Sequence, residues 1–283
     1  MGDTVAARVD PRPVRVAVQV APQHASYAQL RRACLDLEQI GVDVVFTWDH
    51  FFPLSGDPDG AHFECWSVLA AWAEATERVQ LGALVTCTAY RNPALLADLA
   101  RTVEHVSAGR LILGIGSGWF ERDFVEYGYE LGTPGGRLDR LAEDLPTIRD
   151  RWRRLNPPPT RPIPVLVGGG GERKTLRIVA EHADIWHGFG DPQAIAGKHA
   201  ALDRWCEPVG RDPGAIERSA GVTFVPQRLL GPRARIDYAA NAQALHDVGT
   251  RLVQISLMAP PYDLGPVREL LAWRDAVNAR VDG

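Results

Sequence analysis

Lysine is nearly missing from this chain, with only Lys174 and Lys198, and cysteine occurs four times without a single C-x-x-C pair. Scattered thiols at Cys34, Cys65, Cys87 and Cys206 exclude a disulfide framework and a thiolate zinc site, and they suit a reducing compartment. No apolar run reaches the ~20 residues of a membrane-spanning helix, and the first residues lack a signal-peptide core, so a cytoplasmic protein is expected. A net charge of −4 and a pI near 6.1 give no basic surface for nucleic acid or anionic membrane. Neither H-x-H after the first strand nor H-E-x-x-H occurs, which argues against a metal-dependent barrel hydrolase, and no metal site is expected. Also absent are the phosphate-loop ending G-K-[ST] and an early G-x-G-x-x-G turn.

What the chain does have is rhythm. Of its 283 residues, 46% are hydrophobic and 23% charged, an ordinary globular balance. Short β-branched apolar runs recur at Val14–Val20, Val42–Phe46, Val79–Val85, Arg110–Ile115, Ile163–Val167, Ala183–His187, Ser219–Val225 and Leu252–Leu257. Helical spacing follows them, as in Leu30, Ala33, Cys34, Leu37 and Ile40 after Ser26, a candidate N-cap. Asn92-Pro93 and Asp191-Pro192 are cap-then-first-turn signals for two further helices. Eight strand–helix units predict an α/β fold, a single (β/α)8 TIM-type barrel, rather than an open doubly wound sheet. The longest gap, Gly116 to Pro162, predicts an extended segment between the fourth and fifth barrel strands. Residues 1–13 read as a flexible N-terminal tail and 14–283 as the barrel domain.

In such a barrel the interior is packed solid, and loops leaving the strands build the site. These loops hold Thr47-Trp48-Asp49-His50, Gly116-Ser117-Gly118-Trp119, Gly168-Gly169-Gly170-Gly171-Glu172-Arg173-Lys174 and Trp186-His187-Gly188. Bare backbone entering a helix favours an anion, because amide N–H groups and the positive helix end converge there. One glycine-rich turn is unspecific; two on successive strands point to a phosphate. His50 and His187 are candidates for proton transfer, and equally for structural histidines. Adjacent residues on extended chain point opposite ways, so Asp49 need not orient His50. Cys87 reads as a small core residue rather than a nucleophile, and Trp48 and Trp119 as ring walls or core.

Four ordered segments carry a family resemblance: Phe46–Phe52 (FTWDHFF), Val79–Pro93 (VQLGALVTCTAYRNP), Arg110–Trp119 (RLILGIGSGW) and Pro164–Asp184 (PVLVGGGGERKTLRIVAEHAD). With them the chain resembles the bacterial-luciferase-like superfamily, in particular its coenzyme F420-dependent oxidoreductase branch. The resemblance implies a luciferase-like barrel that moves a hydride between the deazaflavin F420 and a small organic substrate. An FMN-dependent monooxygenase is the alternative, and a cofactor-binding barrel without turnover another. It further implies that His50 lies by the ring and that Leu84 and Val85 form a non-proline cis peptide behind it. Gly116, Ser117, Gly118 and Trp119 would line the cofactor, and the turn Gly169, Gly170 and Gly171 would hold its phosphate. Arg173, with Arg91, Arg122 and Lys174, would meet the acidic tail of F420. Trp119 stands where sugar-phosphate dehydrogenases of the branch carry an acidic proton donor, so neither that substrate nor that acid is carried over. Relatives are commonly homodimers.

Overall fold

Inward and outward positions alternate along the strands, and that alternation builds the barrel. The structure, a computed structural model, describes residues 12–223 and 236–280. Its strands are β1 (Arg15–Val20), β2 (Val44–Thr47), β3 (Gln80–Ala83), β4 (Thr86–Cys87), β5 (Leu111–Gly116), β6 (Val165–Gly168), β7 (Ile185–Gly188), β8 (Glu217–Gly221) and β9 (Leu252–Leu257). Every strand pairing is parallel; β1 pairs with β9, and β3 pairs with both β2 and β5, which closes the sheet.

Nine segments make eight staves, because β3 and β4 are halves of one. The sequence pattern reads Val79–Val85 as an unbroken run. Instead the run stops at Ala83, and the Leu84–Val85 peptide is cis. At the break the Ala83 carbonyl leans into β5, where a β-carbon on Gly114 would collide with it. Only a residue without a side chain lets the two backbones approach so closely. The run at Ser219–Val225 begins earlier than its pattern suggests, at Glu217, and its last residues lie outside the described ones.

Alternate residues fill the barrel in layers. At the amino end Arg15 donates to Glu217 and to Gln80 (2.5 Å), a polar plug. Above it Ala17, Val44, Phe46, Ile112, Leu166, Ile185 and Leu252 form a dry middle layer. Burying Phe46 completely contributes roughly 2–3 kcal/mol. Their neighbours Val16, Val18, Val45, Leu113 and Val167 point outward and join the larger core against the helices. Both faces of the sheet are therefore apolar, as parallel strands require.

Around the sheet lie α1 (Tyr27–Gln39), α2 (Cys65–Ala75), α3 (Pro93–Val106), α4 (Glu121–Glu126), α5 (Pro134–Arg154), α6 (Thr175–His182), α7 (Pro192–Cys206), α8 (Tyr238–Asp247) and α9 (Gly265–Asn278). Caps start them where the sequence suggests. Ser26 closes a capping box with Gln29, Asn92 accepts from the amides of Ala94 and Leu95, and Asp191 accepts from that of Ala194. The extended segment after the fourth stave consists of α4 and α5, and α4 brings an acidic residue to the barrel mouth. Among the described residues, no helix is long and apolar enough to cross a membrane.

Candidate active site

His50 leaves the end of β2, and its Nδ1 lies 2.6 Å from Asp123 Oδ2, within hydrogen-bond distance. Asp123 comes from α4 and is completely buried. It also accepts from the Tyr90 hydroxyl (2.9 Å) and the Phe51 amide (3.1 Å). A buried carboxylate is tolerated when its lone pairs are filled in this way. Burial, with Cys87 and Asp123 close by, holds the Tyr90 phenol well above its ordinary pKa, so it stays a donor. The other ring nitrogen of His50, Nε2, makes no hydrogen bond among the described residues and is not sealed from solvent. Edge-on contacts from Trp48 (6.1 Å between centroids), Trp119 (5.8 Å) and Phe120 (5.6 Å) frame the imidazole.

Asp49 faces the other way, as expected for its neighbour on extended chain. It is buried and accepts from Thr86 Oγ1, the Cys87 amide (3.2 Å) and both terminal nitrogens of Arg91 (2.6 and 3.0 Å). Arg91 also reaches Glu64 at 2.7 Å. Burial opposes its charge, yet Asp49 and Glu64 hold the guanidinium above its usual pKa. This ion pair ties β2 to the broken third stave. Trp48 is buried and donates to His62 Nε2 at 3.0 Å. Burial and the nearby His50 lower His62 to about 4, which keeps it the neutral acceptor that this bond needs. Cys87 is a core residue whose thiol burial pushes up to about 12.

The floor of the mouth is Val85. A β-carbon on Gly116 would sit 2.7 Å from its Cγ2, and one on Gly168 would sit 3.0 Å from its Cγ1. Glycines on β5 and β6 thus leave the room that the Val85 side chain occupies. Leu84 is pinned beneath, its carbonyl accepting from Gln19 Nε2 (2.6 Å) and its amide donating to the Thr47 carbonyl (2.7 Å). Ser117 is half-buried, and Gly118 accepts from Arg137 Nε at 3.1 Å. Trp119 is 63% exposed, so it is a rim residue and no part of the core.

Beyond Val85 lies the second glycine turn. The Gly169 amide is spent on the His187 carbonyl (3.0 Å), whereas those of Gly170 and Gly171 donate to nothing among the described residues. A β-carbon on Gly171 would lie 2.8 Å from Thr175 Oγ1, and one on Gly170 would run into Lys198 Nζ. Free amides, a hydroxyl and an ammonium around bare backbone are a donor set suited to a phosphate.

The structure places Trp119 against His50, and Gly116 and Gly168 against Val85. It separates others. Arg91 is committed to Asp49 and Glu64, Arg122 to Asp59 and Glu126, and Lys174 to Asp139. Arg173 alone of these four is exposed and without a partner among the described residues. His187 is a buried structural histidine: Nδ1 meets Ser219 Oγ at 2.9 Å, and burial lowers it to about 4. Missed from the sequence were Asp123, Tyr90 and Lys198. For Lys198 the scarcity of lysine was a usable signal; for Asp123, 73 residues from its histidine, none was.

Fold and site together define a luciferase-like barrel, and the chain belongs to the luciferase-like monooxygenase family, whose model matches residues 12–229. Proteins of this kind among its relatives are oxidoreductases or monooxygenases. The chain is 32% identical over 165 residues to F420-dependent glucose-6-phosphate dehydrogenase of Amycolatopsis mediterranei (strain U-32), covering 52% of this chain and 47% of the relative. Pyrimidine monooxygenase RutA of Enterobacter sp. (strain 638) is 27% identical over 190 residues, 59% of this chain and 49% of that one. The chain thus matches about half the length of these curated relatives. In three dimensions it resembles an F420-dependent secondary alcohol dehydrogenase in complex with an F420-acetone adduct, with a TM-score of 0.80 at 16% identity, covering 93% of this chain and 99% of that one. At that identity the likeness is one of fold.

Proposed function

We propose that the chain is an F420-dependent oxidoreductase acting on a small organic substrate. The single observation that carries this reading is the turn at Gly170 and Gly171, whose amides have no partner among the described residues and which follows Gly168, the glycine that faces Val85. The residues fit a flat, phosphorylated coenzyme: unpaired donors for the phosphate, an apolar valine for a ring face, and a histidine with one open nitrogen. Bound there, the coenzyme supplies the hydride chemistry. The chain's own residues do the rest. Gly170, Gly171, Thr175 and Lys198 bind the anion, Val85 and Trp119 exclude water, and His50 holds or takes a proton at Nε2.

An FMN-dependent monooxygenase is the second reading, supported by the likeness to a pyrimidine monooxygenase. The exposed Arg173 beside the turn, without a partner among the described residues, favours the longer anion of F420. Titrating the full chain with F420 and with FMN, followed by fluorescence, separates the two. F420 is expected to bind at least tenfold more tightly, on the order of 1.4 kcal/mol. Tight FMN binding with no F420 binding would replace the first reading by the second. Binding of neither would overturn both.

A further inference from the structure

We infer that Asp123 is a positioning residue: clamped by Tyr90 and the Phe51 amide, it fixes His50 in the Nδ1–H tautomer and so presents Nε2 to the barrel mouth as a proton acceptor. The role in turnover rests on the function proposed above; the tautomer itself does not. Three donors meet the Asp123 carboxyl, namely His50 Nδ1 and Tyr90 Oη at Oδ2 and the Phe51 N–H at Oδ1. A backbone N–H has no other state, so Oδ1 must accept. Tyr90 stays protonated because burial holds its phenol high. With the carboxyl ionised, Oδ2 accepts from both Tyr90 and the imidazole, and the neutral ring carries its hydrogen on Nδ1. Its lone pair is then left on Nε2, the one nitrogen of the ring with no partner among the described residues.

The geometry leaves His50 little choice of orientation. Rings of Trp48, Trp119 and Phe120 stand edge-on around it, and only 13% of its side chain is exposed. Asp49, next to it in sequence, cannot take over, since it is bound to Arg91, Thr86 and the Cys87 amide. Asp123 does not accept the substrate's proton either. When Nε2 takes that proton, the ring becomes a doubly protonated cation, and the carboxylate at 2.6 Å from Nδ1 stabilises it. The substrate fragment loses H⁺ and keeps its electron pair, while Asp123 keeps its three donors and its charge. With Trp119 at the mouth instead of an acid, a single oriented histidine can do the proton work.

Histidine-selective 15N spectra of the coenzyme-free chain read the tautomer directly, with His50→Gln assigning the signal. Wild type is expected to show a pyrrole-type Nδ1 and a pyridine-type Nε2. Asp123→Asn, whose amide can donate to Nδ1, is expected to move the neutral ring toward the Nε2–H form and to lower kcat by at least about 100-fold with little change in KM. Tyr90→Phe keeps the carboxylate and is expected to keep the wild-type tautomer. An Nε2–H ring in wild type overturns the inference, even if Asp123→Asn fails to fold. So does an unchanged tautomer in a folded Asp123→Asn. Because no coenzyme is present, a failed F420 titration leaves this result intact, and a failed tautomer test leaves the coenzyme assignment intact.

Discussion

Replacing Arg91 by methionine is expected to destabilise the fold by about 3–5 kcal/mol, because it leaves the buried Asp49 carboxylate without its counter-ion. Asp49 is fully buried in its side chain and Arg91 is 11% exposed. Their two hydrogen bonds join the end of β2 to the loop beyond β4. Methionine fills a similar volume, so the cavity contribution is small and the uncompensated charge dominates. The double variant Arg91→Met with Asp49→Asn is expected to recover part of the loss, since the one remaining side-chain oxygen can still accept from Thr86 Oγ1 and the Cys87 amide, which share Oδ2 in wild type. Urea unfolding of the three proteins measures both effects. An Arg91→Met variant as stable as wild type, yet poor in coenzyme binding, would return Arg91 to the role of anion ligand.

His50→Ala is expected to lower kcat roughly 100- to 10,000-fold, the usual contribution of an oriented acid–base group. Coenzyme affinity is expected to change by no more than about threefold, because the donors proposed for the phosphate are Gly170, Gly171 and Lys198, not His50. The expected pattern is therefore a loss in kcat with nearly constant coenzyme dissociation constant. A variant that keeps its full turnover would remove His50 from the chemistry. A variant that no longer binds coenzyme would make it a structural wall of the pocket.

The barrel was legible because its determinants are local. β-Branched runs, capping residues and proline at first helical turns all act within a few positions, and Ser26, Asn92 and Asp191 cap the helices they precede. The break in the third stave was less so. Periodicity reports which residues are buried, and Leu84 is buried although it lies between two strands and in neither. The cis peptide there followed from family resemblance and not from pattern. Pairings across the barrel were the least visible. Asp123 reads as one of several acids in a short helix, and only the closed barrel brings it to His50. Arg91 shows the converse. An arginine after a strand end suits an anionic ligand, but the fold supplies Asp49 and Glu64 first.

The most direct measurement is a crystal structure of the full chain grown with F420. The phosphate is expected within hydrogen-bond distance of the Gly170 and Gly171 amides and the ring against Val85, with His50 Nε2 turned toward the substrate space. A coenzyme bound elsewhere, or one whose phosphate rests on side chains while those two amides face solvent, would contradict this.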